Sequence, residues 1–248
     1  LLKIDSVHKS YKKGGLFSKE RQLVLKNVSF ECRNGECLGI IGESGSGKST
    51  LGRLILGIER PDHGTVLFEG KNVGNRRVRL GAISAVFQDY KSSINPFFTV
   101  EDAIMEPLKV QKKAQTENQN KIDMLLHQVG LDPSYRKKYP HELSGGEVQR
   151  VCIARAISTE PKCILLDEAI NSLDVSVQIQ VLNLLKELKV AYNISYIFIT
   201  HDIQAAAYIC DRVIVFRNGK IEETVNIEQL KDVQSEYARK LLKMLITV

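Results

Sequence analysis

Gly42-Glu43-Ser44-Gly45-Ser46-Gly47-Lys48-Ser49-Thr50 lies between two apolar runs. It has the form G-x-x-x-x-G-K-[ST] of a phosphate-binding loop. The apolar run Cys37-Leu38-Gly39-Ile40-Ile41 predicts a buried strand before it, and Leu51-Gly52-Arg53-Leu54-Ile55-Leu56 predicts a helix after it. Glycines let a backbone wrap closely round a phosphate because no Cβ intrudes. The loop N–H groups and the helix start add partial positive charge. Lys48 is then placed for the β- and γ-phosphates of a nucleotide, and the Ser49 hydroxyl for Mg²⁺. The bland alternative is a Gly/Ser turn that fits the pattern by chance. The strand–loop–helix context weighs against it.

Composition sets the outer bounds. The chain's 248 residues suit one large domain or two small ones, and 43% hydrophobic with 26% charged content is that of a globular protein. There is no run of about 18 apolar residues that would predict a membrane-spanning helix. Leu1-Leu2-Lys3-Ile4-Asp5 does not have the basic-then-apolar layout of a secretory signal. The five cysteines, Cys32, Cys37, Cys152, Cys163 and Cys210, make no C-x-x-C pair. Three of them lie in or beside apolar runs, so buried free thiols in a reducing compartment are expected, and a metal or iron–sulfur site is not. Net charge is +6, with basic runs at Lys12-Lys13, Arg76-Arg77-Arg79 and Arg136-Lys137-Lys138. Such runs mark nucleic acid or an anionic membrane surface in some proteins and solvated loops in others. These are scattered and carry no interleaved aromatics, so no nucleic-acid partner is expected.

Working outward from the loop, Ile4–Tyr11 and Leu23–Cys32 alternate as strands do, with a polar loop from Lys12 to Arg21 between them. Tyr11 offers a ring to a nucleotide base. Taken alone it reads as well as a packed strand residue. Val66–Phe68 and Ala82–Phe87 are further strands, and Gln88 follows the second at once, where an amide could reach Mg²⁺ or an attacking water. From about Asp89 to Glu160 the pattern turns helical, at Val100–Val110 and Lys121–Val129, joined by the polar linker Lys112–Asn118. Strands return at Cys163–Leu166, Ser195–Thr200 and Arg212–Phe216. Val177, Val181, Leu184, Leu185 and Leu188 recur at helical spacing and predict a core-facing stripe. Strands alternating with helices imply an α/β fold with a mainly parallel sheet, here carrying a helical insertion.

Cys163-Ile164-Leu165-Leu166-Asp167-Glu168 is an apolar strand ending in two carboxylates. Beside a phosphate loop, Asp167 is the second Mg²⁺ partner, through water. Glu168 is expected to point the other way along the same strand, facing the γ-phosphate and polarising a hydrolytic water. Two solvated carboxylates at a strand end are the alternative. Leu143-Ser144-Gly145-Gly146-Glu147 opens another helix and makes a second anion site at a helix start. One chain with one nucleotide needs only one such site, so the second suits the nucleotide of another subunit. A plain N-cap is the other reading. Asp174, after Asn171-Ser172-Leu173, reads as an N-cap, and His201, after Ile197–Thr200, as a structural histidine or a γ-phosphate partner.

The order of these motifs resembles that of the ATP-binding subunits of ABC transporters, over nearly the whole chain. The phosphate loop, Gln88 as Q-loop, the Leu143–Glu147 signature, the Asp167-Glu168 strand end, the Asp174 D-loop and His201 follow in the family's order. Phe87–Pro96 and the tail Ser235–Leu242 are similar to the oligopeptide, dipeptide and nickel importer branch. Leu166–Asp174 and Phe198–Asp202 are most similar to ATPases of nickel/cobalt–metallophore (staphylopine-type) importers.

The resemblance implies a phosphate-loop (RecA-like) α/β core over residues 1–88 and 161–248, with an N-terminal antiparallel β subdomain. A helical signature subdomain would span 89–160. It implies two ATPase subunits closing head to tail over two ATP·Mg²⁺. Tyr11 would stack on adenine, and Gly42, Glu43, Ser44, Gly45, Ser46, Gly47, Lys48, Ser49 and Thr50 would hold the phosphates. Ser49, Gln88 and Asp167 would face Mg²⁺, and Glu168, His201 and Gln88 would organise hydrolysis. Ser144, Gly145, Gly146 and Glu147 would address the partner's nucleotide. The segment Gln88–Tyr139 would dock on one of two membrane permease subunits at the cytoplasmic face, and an extracellular substrate-binding protein would act indirectly. The cargo would be nickel, cobalt or a metal–metallophore complex, with peptide as the alternative. A soluble ABC protein of DNA repair or translation fits less well, since those carry coiled-coil insertions or two cassettes. The signature speaks against a kinase. Glu147 stands where glutamine is common, Asn171-Ser172 where Ser-Ala is frequent and Ala169 where many members have proline. The first two departures suggest unequal sites in a heterodimer. The chain ends soon after the tail, without a cysteine-bearing extension, so no iron–sulfur cluster is expected.

Overall fold

β3 (Cys37–Ile41) is buried at every position, and so is β8 (Ser195–Thr200). Strands of this kind, apolar on both faces, belong in the middle of a parallel sheet. The computed structural model describes residues 1–13, 20–89, 93–111, 117–171 and 173–246. Expectations for residues 14–19, for Tyr90-Lys91-Ser92, for 112–116 and for Ser172 lie outside the described residues.

In chain order, β1 (Leu2–Lys12), β2 (Arg21–Cys32) and β3 precede α1 (Lys48–Ile55), β4 (His63–Phe68), β5 (Lys71–Asn72), α2 (Arg76–Arg79) and β6 (Ile83–Phe87). The middle of the chain holds α3 (Val100–Val110), α4 (Glu117–Gln128), α5 (Gly145–Ile157), β7 (Cys163–Asp167) and α6 (Val175–Tyr192). After β8 come α7 (Ile203–Ile209), β9 (Arg212–Arg217), β10 (Lys220–Asn226) and α8 (Glu236–Ile246). The chain divides into two compact units, residues 1–79 with 195–248, and residues 80–194.

The first unit holds an antiparallel sheet in the order β2-β1-β4-β5. It also holds the parallel neighbours of β3, with Ile41 level with Thr200 of β8 on one side and Val215 of β9 on the other. β10 closes the edge antiparallel to β9. Its alternation of half-buried and exposed residues, with Glu222, Lys220 and Thr224 outward, explains why the sequence did not read as a core strand. The five cysteines are free and buried, as expected. Burial pushes the Cys152 and Cys163 thiols up to about 12, which keeps them protonated.

In the second unit, β6 and β7 pair in parallel. α3 is started by a capping box in which Thr99 accepts from the Asp102 N–H and Asp102 accepts from the Thr99 N–H. Arg136, from the basic run, clamps α3 to α4 through Glu101 (2.9 Å) and Asp123 (3.1 Å). α6 buries Val181, Leu184, Leu185 and Leu188 as its stripe predicts, and Leu182 as well, while Val177 is only half-buried. Each such buried aliphatic contributes about 1.5–3 kcal/mol. Among the described residues no helix is long and apolar enough to cross a membrane.

Candidate functional site

The phosphate loop leaves β3 and enters α1. Lys48, Ser49 and Thr50 form the first turn of α1, so the helix begins before the apolar run that announced it. Gly47 occupies the N-cap at φ 108, a conformation that glycine adopts without strain. It has no side chain to cap the helix, and the first turn carries no acidic residue. The amides at this end therefore keep their partial positive charge. Gly42 is needed for a different reason: a Cβ there would lie 2.1 Å from the Phe216 carbonyl oxygen. Lys48 is 4% exposed, and its Nζ donates to Gly42 O (2.7 Å) and Glu43 O (2.8 Å). The loop is braced from outside by the C-terminal helix, where Tyr237 Oη accepts from the Glu43 N–H at 3.3 Å.

These residues fit a nucleotide's phosphates. Ser46 Oγ is buried and has no hydrogen-bond partner, an orphaned polar atom of the kind a ligand completes. The Lys48 ammonium is folded onto carbonyls that phosphate oxygens can replace. The oxygen donors suggested for Mg²⁺, the Ser49 hydroxyl, the Gln88 amide and the Asp167 carboxylate, are of the hard type that ion takes.

Tyr11, next to last in β1, is half-buried, and its hydroxyl donates to Glu59 Oε2 at 2.6 Å. Its polar end is tied down, as the hydroxyl of a partly buried tyrosine usually is. Because Thr200 pairs with Ile41, His201 and Gly42 leave adjacent parallel strands at the same level. His201 is exposed there, and Asp202 after it caps α7 by accepting from the Ala205 N–H at 3.0 Å. This is the edge where parallel α/β sheets bind ligands, beyond the carboxyl ends of their strands.

The second unit repeats that arrangement. Phe87 pairs with Asp167, so Gln88 and Glu168 emerge side by side from β6 and β7. One expectation needs correction. Glu168 does not continue the strand's alternation, because β7 ends at Asp167 and Glu168 takes φ 51, the left-handed region. Its direction is set by that turn and not by the pleat. A non-glycine residue held there costs about 1 kcal/mol or more and persists where the surroundings enforce it.

The signature opens α5 with Ser144 as N-cap in a complete capping box. Glu147 Oε2 accepts from the Ser144 N–H at 2.7 Å, and Ser144 Oγ accepts from the Glu147 N–H at 3.4 Å. The Tyr135 hydroxyl also donates to Glu147. That hydroxyl, followed by the Ser144 N–H, holds the Glu147 carboxyl below its ordinary range. Ser144, Gly145, Gly146, Glu147, Asp174 and Val177 line one open groove of about 400 Å³, joined by Arg150 and Gln180, which the sequence did not single out. Gly146 permits this, since a Cβ there would lie 2.7 Å from Val177 Cγ1. Asp174 occupies the N-cap position of α6 without making a side-chain cap bond. Ser144–Glu147 and Asp174 thus face one space although they lie far apart in the sequence.

Comparison with known proteins identifies the family. A family model described as ABC transporter matches residues 25–171. The metal-staphylopine import system ATP-binding protein of Staphylococcus aureus is 50% identical over 249 residues, covering 98% of each chain. The nickel import ATP-binding protein of Rhodospirillum rubrum is 38% identical over 99% of this chain and 91% of its own. The oligopeptide transport ATP-binding protein of Bacillus subtilis is 40% identical over 94% and 74%. Among solved structures, an ATP-binding cassette in a dimeric post-hydrolysis state bound to ADP and Pi superposes with TM-score 0.81 and 29% identity over 92% of this chain and 99% of that one. A family-model match over more than half its length, with relatives 38–50% identical over nearly all of it, establishes that this chain belongs to the ABC transporter family.

Proposed function

We propose that this chain is the ATP-hydrolysing subunit of an ABC importer that brings in a metal ion held by a small metallophore, nickel or cobalt being the favoured metals. The observation that carries the cargo is the 50% identity, over 98% of both chains, to the metal-staphylopine import ATP-binding protein. The chain works as a single ATPase domain, its core spanning 1–88 and 161–248 and its helical signature part 89–160. It sits at the cytoplasmic face of the cell membrane, paired with a second ATPase subunit of different sequence and docked on two permease subunits. An extracellular substrate-binding protein delivers the cargo from the other side.

In this scheme Tyr11 stacks on adenine while Gly42–Thr50 wrap the phosphates. Lys48 Nζ leaves Gly42 O and Glu43 O for the β- and γ-phosphate oxygens. Ser49, Gln88 and Asp167 would hold Mg²⁺, which would supply neutralisation of the phosphate charge. Glu168 accepts the proton of the attacking water, and His201 bonds the γ-phosphate. Ser144, Gly145 and Gly146 present the start of α5 to the nucleotide held by the partner subunit. Phosphoryl transfer asks for little covalent chemistry, so positioning and charge stabilisation carry the rate. The test is uptake of nickel and cobalt, with and without a metallophore, in a strain lacking this chain, with dipeptide uptake as control. Loss of metal uptake with intact dipeptide uptake is expected. Loss of dipeptide uptake alone would transfer the cargo to the oligopeptide reading, which the 40% identity to the Bacillus protein favours.

A further inference from the structure

Arg53 and Glu59 connect Thr50, the residue after Ser49 of the phosphate loop, to the Tyr11 ring near the end of β1. Tyr11 Oη donates to Glu59 Oε2 at 2.6 Å and accepts from Arg53 Nη2 at 3.4 Å. The same Arg53 Nη2 donates to Thr50 Oγ1 at 3.1 Å, and Arg53 Nε donates to Glu59 Oε1 at 2.7 Å. Lys9 lies two residues before Tyr11, on the same face of β1. Its Nζ is 3.3 Å from Glu59 Oε2 and 5.4 Å from the Tyr11 ring centroid, and it donates to Arg60 O at 2.8 Å.

We propose that Arg53 and Glu59 are positioning residues for the nucleotide base, holding the Tyr11 ring at a fixed station relative to Thr50. The proposal rests on the reading of Tyr11 as the adenine platform and adds what sets that platform's place. Tyr11 could swing about two side-chain torsions if only its strand held it. With its hydroxyl both donating and accepting, the ring is fixed at its far end as well. Fixing it before the ligand arrives removes an ordering cost that stacking would otherwise bear. Because one guanidinium reaches both Tyr11 and Thr50, the spacing between the ring and the phosphate loop becomes a property of the free protein. Such a spacing selects for a base attached to its phosphates at the right distance and does nothing for phosphates alone.

Electrostatics supports the geometry. Burial pushes the Glu59 carboxyl up, but its bonds from Tyr11, Arg53 and Lys9 outweigh that and hold it below the ordinary range. Glu59 is thus ionised at neutral pH and keeps both oxygens as acceptors. The Tyr11 bond, set against some burial, likewise raises Arg53. The competing view is that these contacts only tie β1 to the segment after α1. A structural tie of that kind would affect every ligand of the loop equally.

The experiment compares ATP with inorganic tripolyphosphate, which carries the phosphates without a base, on the full chain and its Tyr11→Ala, Tyr11→Phe and Glu59→Leu variants. Tyr11→Ala is expected to weaken ATP about tenfold, in the range of aromatic–base stacking, and to leave tripolyphosphate within about twofold. Glu59→Leu keeps the ring but frees it, and is expected to weaken ATP about three- to fivefold with the same indifference to tripolyphosphate. Tyr11→Phe removes only the hydroxyl and should match Glu59→Leu. Adding Glu59→Leu to Tyr11→Phe should then change the ratio no further, as expected of two residues acting through one contact. Equal weakening of both ligands by Glu59→Leu, or of neither, overturns the positioning role even if the protein's stability falls. An unchanged ratio in Tyr11→Ala overturns the platform reading and the proposal with it. A changed ratio in Tyr11→Ala beside an unchanged one in Glu59→Leu rejects the proposal and leaves the platform standing.

Discussion

α1 and α5 begin on similar sequence, Gly45-Ser46-Gly47-Lys48 in one case and Leu143-Ser144-Gly145-Gly146 in the other. α1 starts at a glycine with no side-chain cap and no acid in its first turn, while α5 starts at a serine in a full capping box with Glu147 three residues on. At α1 the open amides, the orphaned Ser46 Oγ and the Lys48 ammonium make a site that takes an anion unaided. At α5 a carboxylate lies in the first turn, tied there by the Ser144 N–H and the Tyr135 hydroxyl. A negative charge beside a helix start opposes an incoming anion by about 0.3–1 kcal/mol at an exposed site. The difference teaches that a Gly/Ser-rich helix start is not one kind of site. On the proposed reading the first holds this chain's own nucleotide, and the second meets one held by another subunit.

The contrast can be broken in several ways. The largest effect is expected from Glu168→Gln, which removes the proposed acceptor for the water proton and should lower turnover in the assembled importer about 10²–10⁴-fold while ATP still binds. With hydrolysis stopped, both helix starts should stay on one nucleotide and the two ATPase subunits should remain paired, measurable by size-exclusion with ATP. Normal ATPase activity would remove Glu168 from the mechanism.

Next come the two glycines that allow each start. A Cβ on Gly47 would lie 3.2 Å from the Val24 carbonyl oxygen at a φ that L residues rarely adopt. Gly47→Ala should cost about 1–2 kcal/mol of stability and at least tenfold in ATP affinity. Gly146→Ala meets only the Val177 methyl carbon. It should leave ATP affinity of the isolated chain unchanged, lower turnover a few-fold, and be relieved by Val177→Ala. Loss of ATP affinity in Gly146→Ala would erase the distinction between the two starts.

The smallest effect sharpens it. Glu147→Gln keeps the capping geometry but removes the charge, and should lower the ATP concentration needed for pairing about two- to fivefold. Glu147's folded value lies below its unfolded one, so its charge and its contribution to stability are complete above the ordinary carboxylate range. They disappear only as pH falls through the lowered value. Between pH 6 and 8 the difference between Glu147→Gln and the native chain should therefore stay constant. A difference that varied across that window would mean Glu147 is not the ionised cap described here.

Much of this was legible in the sequence because it is local. The phosphate loop, the strand Ser195–Thr200 and the helix Val100–Val110 depend on neighbours a few residues away, and the structure keeps those limits. Ser144 and Glu147 have the spacing of a capping box, although the sequence suggests only an anion site or plain N-cap for Ser144 and a departure from the family pattern for Glu147. The direction of Glu168 was not legible, since strand alternation predicts it only while the strand continues. The tie from Tyr11 to Glu59 spans 48 positions, and the brace from Tyr237 to Glu43 spans 194. Contacts this far apart follow from how sheets and helices stack, which no local pattern records.

In the proposed function one helix start binds this chain's own nucleotide and the other serves the partner's. The most direct test is ATP affinity of the isolated chain, measured for Lys48→Ala and Ser144→Arg, beside ATPase activity of each in the assembled importer. Lys48→Ala should weaken ATP at least about tenfold, since it removes the charge facing the phosphates. Ser144→Arg should leave affinity within about twofold and abolish turnover. Equal loss of affinity in both variants would contradict the account, because it would place both helix starts on a single nucleotide within one chain.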